Sequence, residues 1–172
     1  MTSIQLKRKP RIVGIMGSHR EDSRALEEAR ILGKAVAARG HVLLTGGGTG
    51  VMRAASEGAC RAGGLVLAVL PNERRQPMEG YPNEFVDLPI YTGLSDGRNV
   101  INGKTPHAII ALEGGPGTLS EIAIALKSGT PVIGLNAPRS GLEGHENYHA
   151  VLSVSEALER LDEILARQNG VL

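Results

Sequence analysis

The chain has 172 residues and a formal net charge of +1, with one Phe, three Tyr, no Trp and a single cysteine. This length suits one compact domain spanning 1–172, with a core built from Leu, Ile, Val and Ala rather than aromatics. Near-neutral charge with few aromatics argues against a nucleic-acid partner, Cys60 alone excludes an internal disulfide and a Cys-based zinc site, and no apolar run approaches a membrane span.

In chain order, residues 1–10 read as a loose arm. Met1 to Arg11 is polar and basic and lacks the apolar core of a signal peptide, so a cytoplasmic protein is expected. Arg11–Met16 is a short apolar run and the first expected strand. Asp22 or Ser23 is suited to N-cap a helix carrying Leu26, Ala29, Leu32 and Val36 at helical spacing, with Gly40 as its stop. His41–Leu44 is the second strand. It runs into the glycine cluster Thr45–Gly50 (TGGGTG) and then a helix with Met52, Ala55, Ala59 and Ala62 on one side. Gly63 and Gly64 end that helix, and Leu65–Leu70 is the third strand, stopped by Pro71.

Residues 71–83, with three prolines and several charges, form a loop placed to act as a lid. Glu84–Ile90 reads as an edge strand and Ser95–Lys104 as helical. Ala108–Leu112 is a strand running into Glu113–Thr118 (EGGPGT). Leu119, Ile122, Ala123 and Leu126 mark the next helix, ended by Gly129. Pro131–Leu135 is a strand, 136–147 a polar loop, and about 148–152 a last strand. Ser153 with Glu156 forms a capping box at the start of the final helix. Apolar strands alternating with amphipathic helices predict a Rossmann-like three-layer α/β/α fold with a mostly parallel sheet of about six to seven strands.

Both glycine clusters fall where strands end and helices begin, the edge at which open α/β sheets bind ligands. A helix start exposes unpaired N–H groups and a partial positive charge, and glycines let an anion approach them. The candidate cradle is therefore Gly46, Gly47, Gly48, Thr49 and Gly50 together with Gly114, Gly115, Gly117 and Thr118. Gly14, Gly17 and Ser18 add a third loop at the end of the first strand. Neither a P-loop nor a complete G-x-G-x-x-G is present, since Arg53 and Ser120 stand where third glycines would fall. Arg98, beside Asn99, offers a guanidinium for bidentate recognition of an oxyanion, though an arginine is more commonly a surface residue. Glu121, near a helix start, is suited to accept a hydrogen bond from a ribose hydroxyl or to activate water, and equally suited simply to complement the helix dipole.

His145–His149 (HENYH) matches the letters of H-E-x-x-H. It follows Pro138, Gly141 and Gly144 and runs into an expected strand, so the shared helix face that zinc needs is missing and no metal site is expected. His19 and His107 read as surface or site-edge residues, and Cys60 as a small core residue.

The run Gly114, Gly115, Gly117, Thr118 and Glu121 (GG-x-GT-x-x-E) resembles the signature of the LONELY GUY phosphoribohydrolases, many of whose relatives carry a "lysine decarboxylase-like" label. The resemblance extends from GIMGSHR through GGGTGVM to PVIGL. It implies a glycine–Thr loop on a nucleotide phosphate, with Arg98 and Glu121 acting in cleavage of an N-glycosidic bond only if the chain is a hydrolase. Glu113 replaces the proline that precedes the double glycine in those enzymes, and Ser95–Asn99 lacks their Met-His-x-Arg-Lys run. With Arg98–Asn99 here, the chain is more similar to the molybdenum-cofactor carrier branch. That similarity implies a non-catalytic homo-oligomer, a dimer or tetramer, with an anionic pterin, molybdate or nucleotide as ligand and no cofactor required for folding. Lysine decarboxylation is disfavoured, because Lys34, Lys104 and Lys127 fall on expected helices with no pocket for pyridoxal phosphate. The function expected first is binding or carriage of a phosphate-bearing or oxyanionic ligand. The alternative is a nucleoside 5′-monophosphate phosphoribohydrolase.

Overall fold

The computed structural model describes residues 3–7, 9–20, 23–142 and 144–169. Seven strands form one sheet: β1 (Ile12–Met16), β2 (Val42–Thr45), β3 (Val66–Leu70), β4 (Leu88–Tyr91), β5 (Ala108–Ala111), β6 (Val132–Leu135) and β7 (Tyr148–Val151). Their spatial order is β4-β3-β2-β1-β5-β6-β7, and every pairing is parallel. The sequence reading of a mostly parallel sheet thus resolves to a fully parallel one. Its central strands are continuously buried, as a sheet covered on both faces requires.

The helices are α1 (Ser23–Ala38), α2 (Val51–Arg61), α3 (Asn99–Lys104), α4 (Pro116–Lys127) and α5 (Val154–Asn169), with a 3-10 turn at Ser95–Arg98 ahead of α3. One core layer gathers Leu32, Val36, Ala55, Ala59, Leu161 and Ile164 from α1, α2 and α5 against Val13, Ile15, Leu43 and Ile110 of the sheet. The opposite layer places Ile122, Ala125 and Leu126 of α4 against Met16, Leu44, Ile109 and Val132. Chain order runs outward from β1 in both directions, so β1 and β5 are adjacent although far apart in sequence. Their carboxyl ends form the switch point of the fold.

Several local expectations sharpen. Ser23 is the first residue of α1 rather than its cap, and Asp22 lies outside the described residues. The N-terminal arm is tied down where it is described: Gln5 N–H donates to the Gly63 carbonyl at 2.9 Å and Lys7 N–H to Gly40 at 3.0 Å. At α5 the Ser153 hydroxyl accepts from Glu156 N–H at 3.2 Å, while the Glu156 carboxylate accepts from Leu152 N–H at 2.9 Å, one residue earlier than a capping box specifies. HENYH straddles a loop and β7 rather than a helix, and among the described residues no group of three His, Cys, Asp or Glu side chains is placed to hold a metal. No helix of the described residues is long and apolar enough to cross a membrane.

Two histidines explain themselves at the amino edge of the sheet. Arg11 N–H donates to His41 Nδ1 and Ile12 N–H to His107 Nδ1, both at 3.1 Å. Each ring must be neutral at Nδ1 to accept, and burial pushes both imidazoles below the usual histidine range.

Helices α1 and α2 approach at two glycines. A Cβ at Gly33 would stand 2.0 Å from the Ala55 carbonyl oxygen, and one at Gly58 would stand 2.0 Å from that of Arg30. Backbone cannot yield as a flexible side chain does, so Gly58→Ala forces the helices apart. Overpacking of this kind costs about 1–3 kcal/mol, more than the roughly 0.5–1 kcal/mol that alanine gains over glycine in a helix. Urea denaturation of the variant is expected to show a lower midpoint with an unchanged slope.

Candidate functional site

At the switch point a cavity of about 370 Å³ opens between the loops that follow β1 and β5. Strand pairing continues past the strands to shape it: Leu112 N–H donates to the Met16 carbonyl and Ser18 N–H to that of Glu113, both at 2.8 Å. Gly17, Ser18, Arg98, Asn99, Gly114, Gly115, Gly117, Thr118 and Glu121 line the cavity, as does Glu113.

The two glycine clusters part company here. Gly115 and Gly117 have nothing within 4 Å of a Cβ position, so their backbone faces open space. Pro116 is the first residue of α4 and has no N–H to lose. Among the described residues, no backbone carbonyl accepts from the N–H groups of Gly117 or Thr118. These amides, at the positive end of a twelve-residue helix, are available to an anion.

Gly46, Gly47, Gly48, Thr49 and Gly50 instead form the wall behind the cavity, and none of them lines it. A Cβ at Gly50, whose φ is +62°, would stand 2.5 Å from the Ser18 carbonyl oxygen, and one at Gly48 would stand 2.6 Å from the Tyr81 ring. Val51 N–H, which would otherwise face a ligand, donates to the Ser18 carbonyl at 2.9 Å. Thr49 Oγ1 donates to the His19 carbonyl at 3.3 Å. The glycines of this loop serve close packing of protein against protein.

The expected lid folds over that loop. Asn83 N–H donates to the Gly47 carbonyl at 2.8 Å and Asn83 Nδ2 to that of Gly48 at 2.9 Å. Arg53 on α2 pairs with Glu84 and lies 5.1 Å from the centre of the Phe85 ring, holding the far end of the strap. Tyr81 thereby reaches the cavity and stacks beneath the Arg98 guanidinium, 5.2 Å from ring centre to Cζ.

Arg98 ends the 3-10 turn. Its Nη1 donates to the carbonyls of Gly46 and, at 2.8 Å, Val69, and its Nη2 lies 3.5 Å from the Tyr81 hydroxyl. One edge of the guanidinium is therefore bound to the carboxyl ends of β2 and β3, and the charge stays fixed beside the cavity. Asn99 Nδ2 donates to Ser120 Oγ at 2.8 Å, and Ser120 Oγ donates to the Gly117 carbonyl at 2.7 Å, bracing the cradle from behind. Glu121, in the second turn of α4, is 8% exposed and accepts from Asn102 Nδ2 at 2.8 Å. Burial pushes its carboxyl up to about 7, against the pull of the Asn102 hydrogen bond and the Arg98 charge.

Residues that sequence reasoning did not assign to the site also line it, notably Arg20, Met52, Tyr81 and Asp96; His19 was read only as a possible edge. Arg20 and His19 were legible as the continuation of the β1 loop. Tyr81 carried no such signal, because only folding of the strap brings it there.

A parallel sheet with a cavity at its switch point defines a Rossmann-like α/β protein. Comparison with known proteins refines that class. The SLOG cluster4 family pattern matches residues 10–168, and the chain belongs to that family. An uncharacterized protein of Archaeoglobus fulgidus is 41% identical over 126 residues, covering 73% of this chain and 80% of that one. The molybdenum cofactor binding protein of Rippkaea orientalis superposes with a TM-score of 0.82 at 34% identity, over 92% of this chain and 99% of that chain. The Moco carrier protein of Chlamydomonas reinhardtii gives the same identity, coverage and TM-score.

Replacing Arg98 with leucine leaves the Gly46 and Val69 carbonyls without their donor and removes the cation above Tyr81. An acceptor stripped of a charged partner costs about 1–3 kcal/mol. Arg98→Leu is expected to lose stability of that order in denaturant titration even with no ligand present, which a purely ligand-contacting arginine would not do.

Proposed function

We propose that the protein binds and carries a small phosphate-bearing ligand of the molybdenum-cofactor kind, with the phosphate on the amides of Gly117 and Thr118. The observation that carries this reading is the open helix start at Gly115–Thr118, with unpaired N–H groups facing a cavity of about 370 Å³. The donors there are backbone amides, the Thr118 and Ser18 hydroxyls, Arg98 and Arg20, groups that suit phosphate oxygens. The 34% identity to a molybdenum cofactor binding protein and to a Moco carrier protein, over almost their full length, supports the same ligand class. In this reading the pterin lies toward Tyr81 and Met52, and the protein holds the ligand without altering it. Homo-oligomers, as expected for the branch, fit the same role.

One observation favours a second reading, phosphoribohydrolase: Glu121, a buried carboxyl pushed up to about 7, shares the cavity with the anion cradle. A general acid or base near neutrality is what glycosidic cleavage uses. The two readings divide on turnover. The carrier reading expects adenosine monophosphate to bind without release of free adenine.

Gly117 offers a clean test of the site. A Cβ there has no neighbour within 4 Å outside its own helix turn, so Gly117→Val is expected to fold with stability within about 1 kcal/mol of wild type. Its branches then stand in front of the amides. Calorimetric titration with adenosine monophosphate is expected to show binding to wild type and at least a tenfold weaker affinity for the variant. Equal affinities would place the anion elsewhere.

A further inference from the structure

Helix α3 sends two asparagines, one turn apart, to two consecutive residues of α4: Asn99 to Ser120 and Asn102 to Glu121. The first pair braces the anion cradle. The second has no such structural duty. Asn102 is 0% exposed, and its Oδ1 is buried with no hydrogen-bond partner. An orphaned amide oxygen is unfavourable, and a leucine is of similar size without that penalty. The helices meet closely at the neighbouring Gly103, where a Cβ would lie 3.0 Å from the Glu121 carbonyl oxygen, so Asn102 is held against Glu121.

We propose that Asn102 is a positioning residue which makes Glu121 a proton-linked gate on ligand affinity, the cavity taking up its anion most tightly when Glu121 is neutral. This rests on the cavity being the anion site argued above. The amide is suited to both states of the gate. With Glu121 ionised, Nδ2 donates to Oε1, as observed at 2.8 Å. With Glu121 protonated, turning the amide over lets Oδ1 accept the carboxyl hydrogen, and Nδ2 then takes the buried position without a partner that Oδ1 holds now. The first bond is to a charged acceptor and is the stronger, so Asn102 favours the ionised form while allowing the other.

The other charged and titratable groups around the cavity are Arg98 and Asp96 from the turn before α3, Glu113 from the β5–α4 loop, His19 and Arg20 from the β1–α1 loop, and the Tyr81 phenol from the strap. Of these carboxyls only Glu121 is buried, so its charge is the least screened from a bound anion. Burial already brings its titration to about 7, where a proton is readily gained or lost. An arriving dianion favours the neutral form further. Affinity is therefore high on the acid side and falls as pH rises through the Glu121 value, by up to about tenfold per pH unit for one coupled proton.

The test uses the full chain and inorganic sulfate, which stays a dianion across the range. Sulfate affinity is measured from about pH 6 to pH 8.5 around that titration. With His19→Gln in both forms, so that no imidazole at the cavity contributes, the chain with Glu121 is expected to show the fall, and Glu121→Gln is expected to show a flat profile. In Asn102→Leu, loss of the donor to the carboxylate raises the Glu121 value, so the midpoint moves to higher pH. A merely structural Asn102 would lower affinity and leave the midpoint in place. In wild type, without any variant, the Asn102 side-chain amide resonances are expected to titrate with the same midpoint. A flat profile with Glu121 present, a fall that survives in Glu121→Gln, or a pH-insensitive Asn102 amide overturns the gate while leaving the anion site standing. Absence of sulfate binding at every pH removes the site itself, and the gate with it.

Discussion

The cavity depends on β1 and β5 remaining paired beyond their last strand residues. The bond from Ser18 N–H to the Glu113 carbonyl, at 2.8 Å, joins the loops that follow the two strands. It fixes how far Gly114–Thr118 stands from Gly17–Ser18. The chain leaves β5 with a glycine pair and a proline, so α4 begins abruptly at Pro116 with its first amides uncovered. Strand pairing sets the width of the cavity and the α4 start sets its polarity. The side chains around it adjust what that frame already offers.

The α2 start shows how close a similar sequence comes to a different outcome. TGGGTG and EGGPGT occupy equivalent places, each between a strand and a helix. Both read in sequence as permissive loops, because a glycine cluster reports only that something must come near the backbone. At Gly115 and Gly117 that space is open. At Gly48 and Gly50 it is filled by Tyr81 and by the Ser18–His19 backbone. These neighbours come from other parts of the chain, so the local pattern carries no trace of them. The strand and helix order was legible because it rests on local apolar periodicity. The division of labour between the two loops was not, because it rests on tertiary contact. Arg98 illustrates the same limit: the family resemblance suggested it as a site residue, but its bonds to Gly46 and Val69 are invisible until the sheet forms.

Electrostatics decides what the cavity can hold. Arg20 and Arg98 face Asp96, Glu113 and Glu121, so side chains alone do not make it a positive pocket. In the proposed function the attraction for an anion comes from oriented amides, whose dipoles need no counter-charge and carry little desolvation cost at an open helix start. A site of this kind holds its ligand through geometry more than through net charge. Small changes in the surrounding carboxyls then have large leverage on affinity, because they subtract from a modest sum.

That leverage gives the burial of Glu121 its meaning. An exposed carboxylate at the same distance would be screened by water and would stay ionised whatever bound beside it. Set on α4 where it meets α3 and held by Asn102, the group in the proposed gate instead trades its charge with the ligand's: each makes the other less favourable. Glu113, at the same cavity, is exposed, so water screens its charge. The difference between the two glutamates lies in solvation: Glu121 is buried where α3 and α4 meet closely, and Glu113 is exposed on a loop. In the proposed gate, the α3–α4 contact beside Glu121 thus sets how the cavity responds to the charge placed in it.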